Sequence, residues 1–235
     1  MLVLIIHLKR AAHRRAHVEQ LGFRLRSLPD LDVQVLDAVD GQNLTPDQAK
    51  SVQPNLCQPA YPFALSPGEV GCFLSHRAAW QLLLDSDQET CLILEDDVLM
   101  DDLSFLEPLE ASHPKGAFVQ LPALPPRNWP ENAAGLQSLA PPSLRTPAQI
   151  LDRSAAADLL AQSQHFDRPV DAFLQMTWWH RVAVKTLYPT GISLLESAST
   201  IQAKKKSWRS EVTRSLRRSL YRARIRNLAR TKGKV

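Results

Sequence analysis

Residues 95 to 97 are Glu, Asp and Asp, and they follow four consecutive apolar residues, Cys91 to Leu94. Adjacent carboxylates repel one another, so at the end of a buried strand they must face solvent or share a cation. Hard divalent ions such as Mn²⁺ or Mg²⁺ take oxygen ligands and keep positions open for phosphate oxygens. In an extended segment alternate side chains point to opposite sides, which pairs Glu95 with Asp97 and turns Asp96 away. A helix cap or a solvated turn calls for the same residue types, so the triplet alone leaves both readings open.

Three other places carry chemistry. Lys9, Arg10, Arg14 and Arg15 follow the first apolar run. Cations at such a position could hold a nucleotide's phosphates or ribose, or form a solvated helix face. His76 and Arg77 end the stretch S-P-G-E-V-G-C-F-L-S-H-R, a helix whose start could bind an anion. The Ser75-His76 dipeptide is poor evidence for a nucleophile and its base, because neighbours on a helix point about 100° apart; on this segment alone His76 reads as a structural histidine. Asp171, in R-P-V-D-A-F-L, stands among apolar neighbours and could act as a general base toward a hydroxyl, or else cap a helix.

The elements needed to position these groups can be traced along the chain. Leu2 to Ile6 reads as a buried strand, and Ala12, Ala16 and Leu21 keep rough helical spacing up to Gly22, where the helix is expected to stop. The run V-Q-V-L-D-A-V-D, residues 33 to 40, gives a second strand ahead of a D-G turn, so the first forty residues suggest a β-α-β unit. Residues 45 to 65 read as a loop with one short helix. Ser66, Pro67 and Glu69 form a capping box before apolar residues at 70, 73, 74, 80, 83 and 84, the clearest helix in the body. Cys91 to Leu94 then form a fully buried strand, with the acids at its carboxyl end, the edge where open α/β sheets bind ligands. Beyond residue 101 the signal weakens: a proline-rich connection over 122 to 147, a short helix around S-A-A-A-D-L-L-A, a helix or strand from Val170, and one short strand within Thr186 to Leu195.

Composition bounds the reading. At 235 residues, 44% hydrophobic and 22% charged, the chain is long enough for one folded domain with an appendage, and the values exclude wholesale disorder and a membrane bundle. Cys57, Cys72 and Cys91 are odd in number and lack C-x-x-C pairing, against a disulfide framework or zinc knuckle; Cys72 and Cys91 read as packed thiols. The opening apolar run lacks a preceding basic segment and a cleavage site, so a cytoplasmic location is the expectation.

The net charge of +4 conceals an asymmetry. Residues 204 to 235 hold 13 Lys and Arg against one acid, Glu211, which leaves 15 basic and 23 acidic residues before them. Trp208, Val212, Leu216 and Leu220, then Tyr221, Ile225 and Leu228, suggest an apolar stripe flanked by arginines, the pattern of an amphipathic helix on an anionic surface. The expected domains are therefore a body, residues 1 to 203, and a basic amphipathic tail, 204 to 235.

The order L-K-R-x-x-x-R-R, D-A-V-D-G, L-S-P-G-E-V-G-C-F-L-S-H-R-A-A-W, L-I-L-E-D-D-V and P-V-D-A-F-L resembles glycosyltransferase family 25, which includes bacterial lipopolysaccharide and lipooligosaccharide galactosyltransferases. The resemblance runs from residue 1 to about 201. It implies a GT-A-like nucleotide-binding α/β sandwich and an inverting transfer of a sugar, commonly galactose from UDP-galactose, to a hydroxyl of a lipid-linked saccharide. It implies Mn²⁺ or Mg²⁺ bound directly by Asp97 with support from Glu95. Lys9, Arg10, Arg14 and Arg15 would lie near the nucleotide, with Glu95, Asp96 and His76 on the cofactor side and Asp171 as base. His7 replaces the family's usual asparagine, and the aromatic-and-glycine segment before the late S-x-x-A-A-x-x-L-L helix is absent. The tail would then hold the enzyme peripherally on the cytoplasmic membrane, whose anionic leaflet attracts Lys and Arg at about 1 kcal/mol each. Two other classes compete: a catalytically inactive glycosyltransferase-like scaffold, and a nucleic-acid-binding protein using the basic arm. The latter leaves the acidic body without a role.

Overall fold

The computed structural model describes residues 1–195 and 208–233, with the side chains of 208–212 excepted. In chain order the elements are β1 (Leu2–His7), α1 (Arg15–Arg26), β2 (Asp32–Asp37), α2 (Pro46–Lys50), α3 (Pro67–Asp85), β3 (Thr90–Glu95), β4 (Val98–Met100), α4 (Leu106–Ala111), β5 (Ala117–Leu121), β6 (Gly135–Gln137), β7 (Ala148–Asp152), α5 (Arg153–Gln162), α6 (Val170–Leu174), α7 (Thr177–His180), β8 (Ala183–Tyr188), β9 (Ile192–Leu194) and α8 (Trp208–Lys232). A mixed sheet runs in the order β2-β1-β3-β7-β5-β8-β6, and β4 pairs with β9 beside it. The expected α/β class is what the fold has.

Strand β1 lies parallel to both β2 and β3, with Leu4 opposite Gln34 on one side and Ile93 on the other. Because side chains alternate across a strand, Leu2 and Leu4 join Cys91 and Ile93 under helices α3 and α5. Val3 and Ile5 join Leu92 and Leu94 under α1 and α4. The sheet is thus covered on both faces, which is why β1 and β3 read as unbroken apolar runs. Trp80 and Phe73 of α3 are fully buried; burial on this scale contributes about 1.5–3 kcal/mol per large side chain. Phe73 stacks on Phe166 with ring centroids 4.0 Å apart and meets Phe173 at 5.4 Å, fixing α6 and its Asp171 against α3.

Helix α3 begins as its sequence dictates. Ser66 Oγ accepts from the Glu69 amide and Glu69 Oε2 accepts from the Ser66 amide at 2.7 Å, with Pro67 in the first turn. The loop after β2 presses onto this turn. A Cβ added to Gly41 would lie 1.6 Å from the Pro67 carbonyl oxygen, and one added to Gly71 would lie 2.5 Å from that of Val39. Neither position has room for a side chain. Ser75 completes the junction: its hydroxyl donates to the Gly71 carbonyl at 2.7 Å and accepts from the Val39 amide at 2.8 Å.

Several expectations need correction. Gly22 does not end the first helix; α1 runs on to Arg26 with Val18, Leu21, Gly22 and Leu25 buried, while Ala12 and Ala16 are exposed. Gly22 lies on the buried side of α1, where an added Cβ would meet Ile5 Cδ1 at 3.7 Å, an ordinary van der Waals contact. Two central strands, β5 and β7, escape the sequence reading because each buries a glutamine. Gln120 donates to Thr146 Oγ1 at 2.8 Å and Gln149 pairs with His76, so the apolar pattern is broken although the positions are internal. The segment 186 to 195 supplies parts of two strands, β8 and β9, in different sheets.

The tail is a helix, as expected, but its stripe divides into two faces. Tyr221, Ile225 and Ala229 are buried, with Tyr221 and Ile225 packed among Cys57, Met176, Tyr61 and Trp178. Leu216 and Leu220 are 60% and 63% exposed. A step of four residues drifts about 40° around a helix and a step of one turns about 100°, so Leu220 and Tyr221 cannot share a face. The side chains of Trp208 and Val212, and the expected domain boundary at 203/204, lie outside the described residues.

Candidate active site

The parallel arrangement of β1, β2 and β3 brings three loops to one edge of the sheet: the arginines after β1, D-A-V-D-G after β2, and the acidic triplet after β3. Glu95 is the last residue of β3, held by its amide to the Pro147 carbonyl at 2.8 Å, and Asp96 and Asp97 turn the chain into β4. The turn separates the acids. Asp96 is buried; Oδ2 lies 2.9 Å from His7 Nδ1 and Oδ1 accepts from the guanidinium of buried Arg14. Arg14 also reaches Asp97 Oδ2 at 3.3 Å. The other oxygen, Asp97 Oδ1, is buried with no hydrogen-bond partner among the described residues. Burial and then the nearby Glu95 charge push the Asp97 carboxyl above its ordinary range, against the pull of Arg14.

A cavity of about 660 Å³ opens beside the triplet, and Glu69, His76, Glu95, Asp97 and Asp171 line it together. Asp171 sits in the first turn of α6, where Oδ1 accepts from the Ala172 amide at 2.7 Å and Oδ2 from the Arg145 amide at 3.3 Å. Burial first pushes its pKa above the ordinary carboxylate range; these amides pull it down, and Glu95 and Glu69 push it up again. Asp171 makes no ion pair with a side chain among the described residues. His76 Nδ1 lies 2.6 Å from Gln149 Nε2 and its Nε2 lies 3.8 Å from Glu95 Oε1. Accepting from Gln149 at Nδ1, a neutral His76 carries its proton on Nε2, facing Glu95.

A second, smaller cavity of about 170 Å³ adjoins the first and shares Cys72, His76, Glu95 and Asp97 with it. Arg10 and Arg14 line this one, Arg10 being held 3.3 Å from Asp40. Arg15 is exposed and lines neither cavity, and Lys9 is turned to Asp37 at 2.6 Å. The structure therefore gathers Arg10, Arg14, His76, Glu95, Asp96, Asp97 and Asp171, and leaves Lys9 and Arg15 outside. Residues that sequence reasoning passed over are Tyr61, Glu69 as a cavity wall, Gln149, and Tyr221, Arg218 and Arg222 from α8.

Glu95 and Asp97 offer hard oxygen donors, and Asp97 Oδ1 is a buried polar atom with no hydrogen-bond partner among the described residues, so the set fits a cation of the Mn²⁺ or Mg²⁺ type. Cys72, His76 and Glu95 place one ligand atom each within 4.8 Å of one another. Burial, then Glu95, drives the Cys72 thiol well above its usual range, so this softer trio holds a proton that a metal would have to displace.

A sheet covered on both faces, with cations and carboxylates converging on cavities at its carboxyl edge, defines an α/β protein whose ligand site lies where such sheets bind nucleotides. The family follows from the sequence match: the model described as glycosyltransferase family 25 (LPS biosynthesis protein) matches residues 1–174, and the chain belongs to that family. Human procollagen galactosyltransferase 2 is 35% identical over 102 residues, covering 41% of this chain and 15% of the relative. Mouse inactive glycosyltransferase 25 family member 3 is 35% identical over 106 residues, covering 43% and 17%. The chain thus spans about a sixth of the length of these relatives. Among solved structures, the galactosyltransferase LgtC with donor and acceptor sugar analogues superposes with a TM-score of 0.43 at 13% identity, covering 93% of this chain and 96% of that one. A Drosophila β1,4-galactosyltransferase 7 mutant in complex with manganese, UDP-Gal and xylobiose gives 0.47 at 12% identity, covering 91% and 79%.

Proposed function

We propose that this chain is an inverting glycosyltransferase that moves a sugar, galactose from UDP-galactose, onto a hydroxyl of a lipid-linked saccharide of the lipopolysaccharide type. The observation that carries this reading is the gathering of Glu95, Asp97 and Asp171 in one cavity at the carboxyl edge of the sheet. The name of the human relative supports galactose as the sugar.

In the transfer, Asp171 accepts the proton of the acceptor hydroxyl as its oxygen bonds to the anomeric carbon. The bond from that carbon to UDP breaks and its electron pair leaves with the diphosphate. Two backbone amides orient the Asp171 carboxylate without neutralising it. Asp97 and Glu95 would hold a Mn²⁺ or Mg²⁺, whose positive charge would offset the negative charge of the departing diphosphate. Asp96 and His7 hold Arg14 in place, and Arg10 and Arg14 serve the nucleotide end from the smaller cavity. His76, fixed by Gln149, positions Glu95. No protein nucleophile is required, which agrees with Ser75 being engaged in the α3 junction and Cys72 holding its proton.

We place the enzyme at the cytoplasmic side of a membrane through the outer face of α8, where exposed Leu216 and Leu220 lie among arginines. Among the described residues no helix is long and apolar enough to cross a membrane. The test is a screen of UDP-sugars with Mn²⁺, following UDP release with and without deacylated lipopolysaccharide. Release that rises with acceptor supports the reading; no release from any donor, with UDP still raising the melting temperature, favours an inactive scaffold like the mouse relative's name.

A further inference from the structure

Helix α8 contributes more than a surface arm. Tyr221 is buried and its hydroxyl accepts from Arg168 Nη1 at 3.0 Å. Arg168 is itself fully buried, paired with Asp167 at 2.6 Å, and Asp167 accepts from the Cys57 amide at 3.0 Å. Tyr61 meets the Tyr221 ring edge-on at 5.4 Å, and Ile225 is buried one turn further on. These contacts fix the azimuth of the helix, and with it the two arginines flanking Tyr221.

Arg218 and Arg222, four residues apart on one side of the helix, line the larger cavity together with Glu95, Asp97 and Asp171. Arg218 lies 5.8 Å from the Phe63 ring centroid. Burial pushes the Tyr61 hydroxyl well up, Glu69 and Asp171 add to this, and Arg218 opposes them, so both signs of charge act on the same stretch of wall. Neither arginine forms an ion pair with a carboxylate among the described residues. Docked in this way, both are exposed side chains at the cavity wall, roughly 120–200° around the helix from Leu216 and Leu220.

Two guanidinium groups at helical spacing, neither ion-paired among the described residues, match the oxygens of a phosphoryl group. The geometry points to Arg218 and Arg222 as a phosphoryl-binding pair on the wall of the cavity, so that the C-terminal helix completes the substrate site. The inference deepens the glycosyltransferase reading and rests on it. The phosphoryl group has two sources: the diphosphate of the donor, or a phosphate carried by the saccharide acceptor.

The experiment uses the full chain and compares the wild type with Arg218→Gln/Arg222→Gln. Calorimetry with UDP and Mn²⁺ is expected to show about tenfold weaker binding for the double variant, with uridine affinity unchanged and a flatter salt dependence. If UDP affinity holds but KM rises about tenfold for a phosphorylated saccharide and not for its phosphatase-treated form, the phosphate is the acceptor's. Arg218→Lys/Arg222→Lys, which keeps the charge, should recover part of the loss. Matched melting temperatures show that the helix remains docked, and Ile225→Asp, which undocks it, should reproduce the loss. Wild-type behaviour of the double glutamine variant toward both ligands would overturn the proposal while leaving the transferase reading in place. A wild type that neither binds UDP nor transfers sugar would remove both.

Discussion

Two groups of charges lie side by side at the carboxyl edge of the sheet, and they are held in opposite ways. In the rim, Asp96 meets His7 and Arg14, so its charge is buried and matched within the protein. In the cavity, Glu95, Asp97 and Asp171 are brought together; among the described residues Asp97 keeps one oxygen with no partner and Asp171 accepts from two backbone amides and makes no ion pair. Both aspartates touch Arg14, but Asp96 has both oxygens engaged by His7 and Arg14, whereas Asp97 gives Arg14 one oxygen and keeps the other without a partner among the described residues. A buried charge pair is costly to break because one partner is left uncompensated, whereas carboxylates only partly matched within the protein mark a site kept for chemistry.

This contrast can be broken by substitution. The largest effect expected is from Asp97→Ala, which should lower Mn²⁺-dependent UDP-sugar turnover by about 10³-fold or more; a wild-type rate in a UDP-release assay would sink the metal assignment. Asp171→Asn should slow transfer about 10²- to 10³-fold with UDP affinity retained in a binding titration. Its pH dependence has a definite sign. A folded-state value above the ordinary carboxylate range favours the protonated form on folding. That contribution is complete below the ordinary range and is lost as pH rises through the raised value. At neutral pH the asparagine variant should therefore melt no lower than wild type, and wild-type turnover should fall on the acid side at a pH above the ordinary carboxylate range.

The rim should respond in the reverse order. Asp96→Ala leaves buried Arg14 without its main partner and should cost about 3–5 kcal/mol in denaturant unfolding; a loss under about 1 kcal/mol would mean that the rim is not held as described. The two faces of α8 supply a smaller contrast. Ile225→Asp buries an unpaired carboxylate and should cost about 2–3 kcal/mol, while Leu220→Asp should stay within about 0.5 kcal/mol and weaken binding to anionic vesicles. Lys9→Ala, at an exposed pair with Asp37, should change stability by at most about 0.5 kcal/mol and leave UDP binding alone.

The sequence was readable where pattern and burial agree. Strand β1, strand β3 and the capping box of α3 follow from unbroken apolar runs and from Ser66, Pro67 and Glu69, and the acidic triplet follows from its place at the end of β3. The reading failed where a buried position carries a polar residue for tertiary reasons, as at Gln120 and Gln149. It failed again at Gly22, a buried glycine inside α1 that does not end the helix. The division of the triplet could be anticipated from strand alternation, but its cause is the turn at Asp96 and Asp97 together with His7 and Arg14 from another element. Nothing local in the tail indicates that Tyr221 would find buried Arg168, 53 residues away in sequence, and so carry Arg218 and Arg222 to the cavity.

The most direct test sets the two neighbouring aspartates against each other. UDP release from UDP-galactose with Mn²⁺ and the melting temperature are measured side by side for Asp96→Asn and Asp97→Asn, two isosteric changes one residue apart. The account predicts that Asp97→Asn loses turnover and keeps a melting temperature close to wild type, while Asp96→Asn loses melting temperature far more. Full turnover in Asp97→Asn, or a collapse of its stability with that of Asp96→Asn unchanged, would contradict it.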